Sequence, residues 1–277
     1  MKKIVGLVLT LATVVTLGAC GSSEAKTDGS SAKSEDALTK IKDAGVLKVG
    51  TSADFSPFEF HTMVDGKDKI VGADVDMVNA IADELGVDVE FMDMEFNAVL
   101  SSLQQGKVDI AVSGISATPE RAEVVDFSTN YYNPPQKVVI NKKNAAQYTS
   151  IDSLADKKVG AQKGSIQEAI VAEQLPDSEV VSVAKVPNLV IELNQGSIDA
   201  LVVEETVGAS YIAQNSDLEF ADIELESDET QAYAIAMPKG SEELQKEIDA
   251  IVTELDESGK IEEFVQKNID LANESAK

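Results

Sequence analysis

Cysteine, histidine and arginine each occur once among the 277 residues, and 49 acidic side chains face 23 basic ones, a net charge of −26. Each shortage removes a class of function. The one thiol, Cys20, closes no disulfide within the chain, and a chain of this length buries enough core to do without one. The one histidine, His61, falls in the polar stretch HTMVDGKDK, which reads as a loop. With a single imidazole, neither a Ser-His-Asp triad nor a His-rich metal site can be assembled. No phosphate-cradling glycine motif or dinucleotide fingerprint occurs, so no cofactor is expected. Asp74, Asp76 and Asp83 have helical spacing and lack a glycine-turn loop, so they read as solvated or capping residues and no metal is expected. The deficit of basic residues leaves no stripe for phosphates, which excludes nucleic acid as a partner. It also argues against the protein body lying on anionic lipid.

Long apolar runs are lacking too. Ile4 to Leu17 is uncharged, but 14 residues fall short of the ~20 that cross a bilayer. After Lys2 and Lys3, this run reads as the apolar region of a signal peptide covering residues 1–19. It ends in Leu17-Gly18-Ala19-Cys20, which resembles a bacterial lipobox, where the cysteine is diacylated and becomes the first mature residue. Two acyl chains anchor stably where one binds reversibly. Residues 20–35 have no large apolar side chain and read as a lipidated flexible tether.

From Asp36 onward, strand-length apolar runs alternate with helix-period segments, the pattern of an α/β protein. Helices are expected over Asp36–Asp43, Asp74–Leu85 and Phe96–Gln105, each stopped by glycine, with strands at Val46–Gly50, Val87–Met92 and Asp109–Val112. Thr118-Pro119-Glu120 is a strong helix start. Pro134-Pro135 marks a first crossing between lobes. A second series follows: strands at Lys158–Ala161, Glu179–Val183 and Asp199–Val203, and helices at Ser165–Gln174, Pro187–Asn194 and Glu205–Gln214. Ala232–Met237 reads as the return crossing, before acidic helices at Ser241–Leu255 and Ile261–Leu271. Two crossings divide the folded part into lobe 1, residues 36–136 and 236–277, and lobe 2, residues 137–235. The expected architecture is a two-lobed α/β fold with two hinge crossings, each lobe a mixed, largely parallel sheet flanked by helices.

Arg121 stands out as the only guanidinium beside 22 lysines. It follows a strand end and a helix cap, and its planar fork matches a carboxylate as no lysine does. A cation in a helix first turn also opposes the helix dipole, so a purely surface role explains it poorly. Glu204 directly ends a five-residue apolar strand. Open α/β sheets hold ligands outside the carboxyl ends of their strands, where Ser113, Ser165 and Glu204 all fall.

The segments TSADFSPFEF (51–60), GADVD (72–76), SGISATPER (113–121), Asp126-Phe127-Ser128 with Tyr131-Tyr132, and GSIQE (164–168) resemble the polar amino-acid-binding proteins of ABC importers. The resemblance runs over residues 45–270 in order and spacing, and the motifs as a set are highly specific. It implies the two-lobed periplasmic-binding-protein fold of type II, a free amino acid as ligand, and an ABC permease with its ATPase as partner. It also implies a monomer on the outer face of a Gram-positive cell membrane, with no catalysis. By position, Phe55 and Phe96 match aromatics that sandwich the ligand side chain. Ser113, Gly114 and Ser116 match the loop that holds the carboxylate and ammonium. Arg121 matches the carboxylate-pairing arginine, and Ser165, Ile166 and Gln167 match the loop that closes over it. Glu204 matches the acid that receives the ammonium, where many relatives have aspartate. Ser52 stands where some relatives carry an aspartate that reads a basic side chain; this weakens the expectation of lysine or arginine as ligand, though Asp54 nearby can substitute. Gln162 and Lys163 border the pocket and suit a polar or acidic side chain. A sensor or adhesin on the same scaffold, or a dehydratase-like enzyme of this fold, are the alternatives.

Overall fold

A computed structural model describes residues 36–275. The signal peptide, Cys20 and the tether expected for residues 1–35 lie outside the described residues. The first helix, α1 (Ala37–Ala44), starts where the Asp36 carboxylate accepts the Leu38 and Thr39 N–H groups, and it stops at Gly45. The buried strand β1 (Val46–Thr51) follows. Three further strands, β2 (Asp54–Phe55), β3 (Glu59–Val64) and β4 (Lys67–Val71), then form a small antiparallel sheet in the order β2-β3-β4. The stretch around His61 is therefore a β-hairpin and not a loop. Asp65 and Gly66 both have positive φ (53° and 74°), the backbone that an Asp-Gly hairpin turn demands. His61 is held between Asp68 (3.0 Å) and Asp93 (3.2 Å).

The chain continues through α2 (Ala73–Leu85), β5 (Asp88–Asp93), α3 (Phe96–Gln104), β6 (Ile110–Ala111), the four-residue α4 (Pro119–Ala122) and β7 (Val125–Phe127). It then enters β8 (Gln136–Asn141), β9 (Lys158–Gln162), α5 (Ile166–Gln174), β10 (Glu179–Val183) and α6 (Val186–Gln195). After these come β11 (Ala200–Glu204), α7 (Glu205–Gln214), β12 (Leu218–Phe220), β13 (Ala236–Pro238), α8 (Glu242–Glu257) and α9 (Lys260–Ser275).

Two five-stranded sheets organise two lobes, with orders β5-β1-β6-β13-β7 and β10-β9-β11-β8-β12. In each, the first three strands pair in parallel and the last two pairings are antiparallel. Four of five strands thus share one direction, and the reversed strand in each sheet, β13 or β8, is the one that arrives from the other lobe. The crossing segments run side by side: Tyr233 N–H donates to the Tyr132 carbonyl (2.7 Å) and Tyr131 N–H to the Tyr233 carbonyl (2.9 Å). Because reversed strands begin where the others end, both crossings lie at the edge that carries the carboxyl ends of β1, β6, β9 and β11. The largest apolar cluster contains Leu47, Met77, Ile110 and Tyr233 as well as Leu189, Val203 and Val207. Core packing therefore backs that edge from both lobes, as expected where burial is the main stabilising term.

Candidate functional site

The carboxyl end of β1 runs into Ser52 and Asp54, and that of β6 into Ser113, Gly114 and Ser116; all four serine and aspartate side chains are buried. The Ser113 hydroxyl accepts the Ser52 N–H (3.0 Å), which ties the two strand ends together. Gly114 has φ 52°, and an added Cβ would lie 2.9 Å from the Phe55 ring, so only glycine fits under that aromatic. Phe55 in turn packs against Phe58 and Tyr233.

Arg121 reaches this edge from α4. The Thr118 hydroxyl caps the short helix by accepting the Arg121 N–H (3.3 Å). The guanidinium donates to the Ser116 carbonyl (2.9 Å) and, across the lobes, to the Gly164 carbonyl (3.0 Å). It also lies 5.7 Å above the Phe96 ring centroid, a cation–π contact. Burial lowers its pKa, while Glu120 and Glu204 favour its charge. Phe96 thus stacks on Arg121, whereas Phe55 packs against Tyr233.

From the other sheet, Glu204 and Gln136 are partners in register at the β11–β8 pairing. Gln167, in the first turn of α5, donates to both Glu204 Oε1 (2.7 Å) and Gln136 Oε1 (2.8 Å). Glu204 is only 2% exposed. Burial pushes its pKa up to about 7, against the opposing influence of hydrogen bonds and of Arg121. Gln162, at the end of β9, donates to Asp54 Oδ1 (3.1 Å) from the opposite lobe. Burial chiefly, and Asp93 further, raise the Asp54 pKa to about 6, with Lys185 opposing. Ser165 uses its hydroxyl on the Gln162 carbonyl (2.7 Å), and Ile166 opens α5. Lys163 is exposed, away from the buried cluster. Further bridges join the lobes: Ser56 to Ser210 (3.0 Å), the Tyr211 hydroxyl to the Asp54 carbonyl (2.9 Å) and Tyr132 to Thr206 (2.8 Å). A groove of ≈ 610 Å³ opens beside Arg121, lined by Thr118, Gly164, Ser165 and Ile166 among others. An added Cβ at Gly164 would come within 2.8 Å of Asn97, so the lobes meet closely there.

Among the described residues, Gln136 Nε2 is a buried side-chain atom without a hydrogen-bond partner, and Asp54 Oδ2 and Glu204 Oε2 have no better partners than the Ser52 and Tyr233 hydroxyls beside them. These belong to the facing strand ends and to the returning crossing. A poorly paired buried polar atom is costly, so a cluster of them at one place marks a site built for something else's donors and acceptors. Gln136 and Tyr233 were not singled out from sequence; Gln136 gains its place only through the register of β8. Asp74, expected as solvated or capping, is neither. It is 2% exposed and accepts hydrogen bonds from Gly114 N–H (3.0 Å) and Tyr131 (2.8 and 2.9 Å).

Two mixed sheets with facing strand ends, two adjacent crossings and a buried charged cluster between them define a two-lobed solute-binding protein of the type II periplasmic-binding-protein fold. Residues 47–270 match the bacterial extracellular solute-binding proteins, family 3, and the chain belongs to that family. It is 34% identical to the arginine-binding extracellular protein ArtP of Bacillus subtilis (strain 168), over 96% of this chain and 98% of that protein. It is similar to the crystal structure of an amino acid ABC transporter substrate-binding protein from Streptococcus pneumoniae bound to L-arginine, with 42% identity and a TM-score of 0.83, covering 85% of this chain and 98% of that one. It is also similar to an ancestral amino acid-binding protein described as a precursor of cyclohexadienyl dehydratase, with 32% identity and a TM-score of 0.75, covering 84% and 99%. The chain is an amino-acid-binding protein of the ABC-importer type.

Proposed function

We propose that the preferred ligand is a free amino acid with a cationic side chain, arginine foremost, which the lobes enclose and deliver to an ABC permease with its ATPase. One observation carries this reading. The interlobe cluster sets one guanidinium, Arg121, against two buried carboxyls, Glu204 and Asp54, neither of which forms an ion pair with a lysine or arginine among the described residues. A neutral zwitterion needs one fixed cation and one fixed anion, whereas a cationic amino acid needs a second anion. Arg121 then takes the ligand carboxylate, Glu204 the ammonium and Asp54 the side-chain cation. Ser113, Gly114, Ser116, Gln167 and the start of α5 at Ser165 and Ile166 supply neutral contacts, and Phe55 and Phe96 flank the site. Arginine as the ligand of similar proteins supports this choice. With Glu204 committed to an ammonium and Asp54 to the side-chain cation, the chain acts as a binder without catalysis.

Lobe boundaries at 36–136 with 236–277, and 137–235, are supported by the start of β13 at Ala236, while β8 begins one residue before the second lobe, at Gln136. Lipidated Cys20 holds the chain outside a cell membrane, a reading supported by the N-terminal sequence, and the chain works there as a monomer on a Gram-positive cell, as the resemblance implies. Cys20→Ser is expected to move the protein from the membrane fraction to the medium or to leave it unprocessed; unchanged acylation of the mature chain would contradict that.

Ligand at 1,000 times its dissociation constant stabilises a fold by about 4 kcal/mol, so a thermal-shift screen of the amino acids reads preference directly. Arginine is expected to give the largest shift. Asp54→Asn should weaken arginine about tenfold to a hundredfold, ~1.4–2.8 kcal/mol, and leave neutral amino acids unaffected. Arginine affinity in the wild type should also fall as pH drops through about 6, where Asp54 takes up a proton. An Asp54→Asn protein that binds arginine as the wild type does would refute the side-chain assignment.

A further inference from the structure

Behind the loop that follows β6 lies a second acidic feature with no part in the ligand contacts just described. Glu59, the first residue of β3, is fully buried, and Asp74, in the first turn of α2, is 2% exposed. Glu59 Oε1 accepts the Ser113 hydroxyl (2.7 Å), and Asp74 Oδ2 accepts the Gly114 N–H (3.0 Å). Each carboxyl thus holds one of two consecutive residues of the same loop, which makes the two side chains neighbours. Among the described residues neither forms an ion pair with a lysine or arginine, and apolar Phe58, Met77 and Val78 belong to the surrounding cluster. Two carboxylates in contact at a dry site cannot both be charged. Glu59 Oε2 has no partner that a carboxylate could use, and Asp74 is the neighbouring acceptor to which a protonated Glu59 can donate.

We propose that Glu59 and Asp74 form a carboxylic acid–carboxylate pair, sharing one proton, that positions the loop Ser113–Ser116 from behind. Donors and acceptors then match along the whole chain of contacts. Ser52 N–H donates to the Ser113 hydroxyl, which donates to Glu59, which donates to Asp74; Asp74 also receives Gly114 N–H and the Tyr131 hydroxyl. Asp74 is the ionised member because it collects three donors, and Glu59 is the neutral one. The contact between them raises the pKa of Glu59, already pushed well up by burial, and lowers that of Asp74, which burial lifts to about 6. The other titratable groups facing the pair are Asp54, Tyr131, Tyr211 and Tyr233, all neutral or anionic, so none can stabilise a second negative charge. Loss of the shared proton at alkaline pH sets two carboxylates against each other and releases Gly114 from the geometry that the Phe55 ring requires. The link to affinity rests on the amino-acid-binding reading above; the pair itself does not.

Glutamine is the discriminating substitution, because its carbonyl can accept from Ser113 and its amide can donate to Asp74 without a titrating proton. The ligand-free protein is studied first just above the ranges of Glu204 (about 7) and Asp54 (about 6), before the shared proton leaves. Wild type is expected to show the infrared carbonyl band of a protonated carboxyl, and Glu59→Gln to lack it. The Gly114 amide signal in NMR should titrate at alkaline pH in wild type and not in Glu59→Gln. With L-arginine, Glu59→Gln should bind within about threefold of wild type near neutrality and keep that affinity at higher pH, where wild type weakens. Asp74→Asn, which offers fewer acceptor sites, should bind about tenfold more weakly. No band difference between wild type and Glu59→Gln would overturn the shared proton. An unchanged alkaline titration of Gly114 in Glu59→Gln would overturn the positioning role. A protein showing band and titration but binding no amino acid would refute the functional reading alone.

Discussion

Glu204→Gln is expected to make the ligand-free protein more stable and nearly abolish binding. The Glu204 carboxyl is buried, and its pKa rises from 4.5 to about 7 in the fold. Between those values the folded protein holds a proton that the unfolded chain has lost, so stability falls as pH rises from about 4.5 to about 7. Glutamine removes that slope. At neutral pH the variant should gain up to about 3 kcal/mol, seen as a melting temperature several degrees higher, with no gain near pH 4. Binding should weaken by about two orders of magnitude, because the ligand ammonium meets a neutral amide where a buried carboxylate stood. In wild type the ammonium draws Glu204 to its charged form, so binding near pH 6–7 releases a proton. Calorimetry in buffers of different ionisation enthalpy reads that release. A Glu204→Gln protein with unchanged melting and wild-type affinity would mean that the carboxyl is neither strained nor used. Stability given up at a binding site is a common exchange, and here it resides in the burial of one carboxyl.

Arg121→Ala is expected to weaken binding by two to three orders of magnitude, the ~3–5 kcal/mol typical of a broken buried charge pair. The guanidinium offers a fork to the ligand carboxylate, and Lys at this position should restore binding only in part. The guanidinium also serves the ligand-free protein, since it donates to carbonyls of both lobes and stacks on Phe96. Its removal should therefore also loosen the approach of the lobes, at about 1 kcal/mol for each lost hydrogen bond. Small-angle scattering of ligand-free Arg121→Ala should show a larger radius than wild type.

Elements with strong local signals were legible in the sequence. The helices that end at Gly45 and Gly86 carry 3.6-residue periodicity and a glycine stop, and they fall within a residue or two of expectation. The β3–β4 hairpin was not legible, because its strands are half exposed and dense in charge, so alternation is weak; Asp65-Gly66 was the available signal. β8 was hidden for a different reason. Its apolar run follows two prolines that read as a crossing, and only pairing with β11 and β12 makes it a central strand. The site divides similarly. Arg121 and Glu204 stand out as a lone guanidinium and an acid ending an apolar strand. Gln136, Tyr233, Glu59 and Asp74 acquire their roles from register and from contacts across 30 to more than 60 positions of sequence, such as Ser113 to Glu59 at 54. Local patterning carries no trace of such contacts.

The most direct test of amino-acid capture is a calorimetric titration of wild type and Arg121→Ala with L-arginine and with L-arginine methyl ester, which lacks the carboxylate. Wild type should prefer arginine over the ester by about two to three orders of magnitude, whereas Arg121→Ala should bind both weakly and about equally. Wild type that binds the ester as tightly as arginine, or Arg121→Ala that keeps the full preference, would contradict the pairing of Arg121 with the ligand carboxylate.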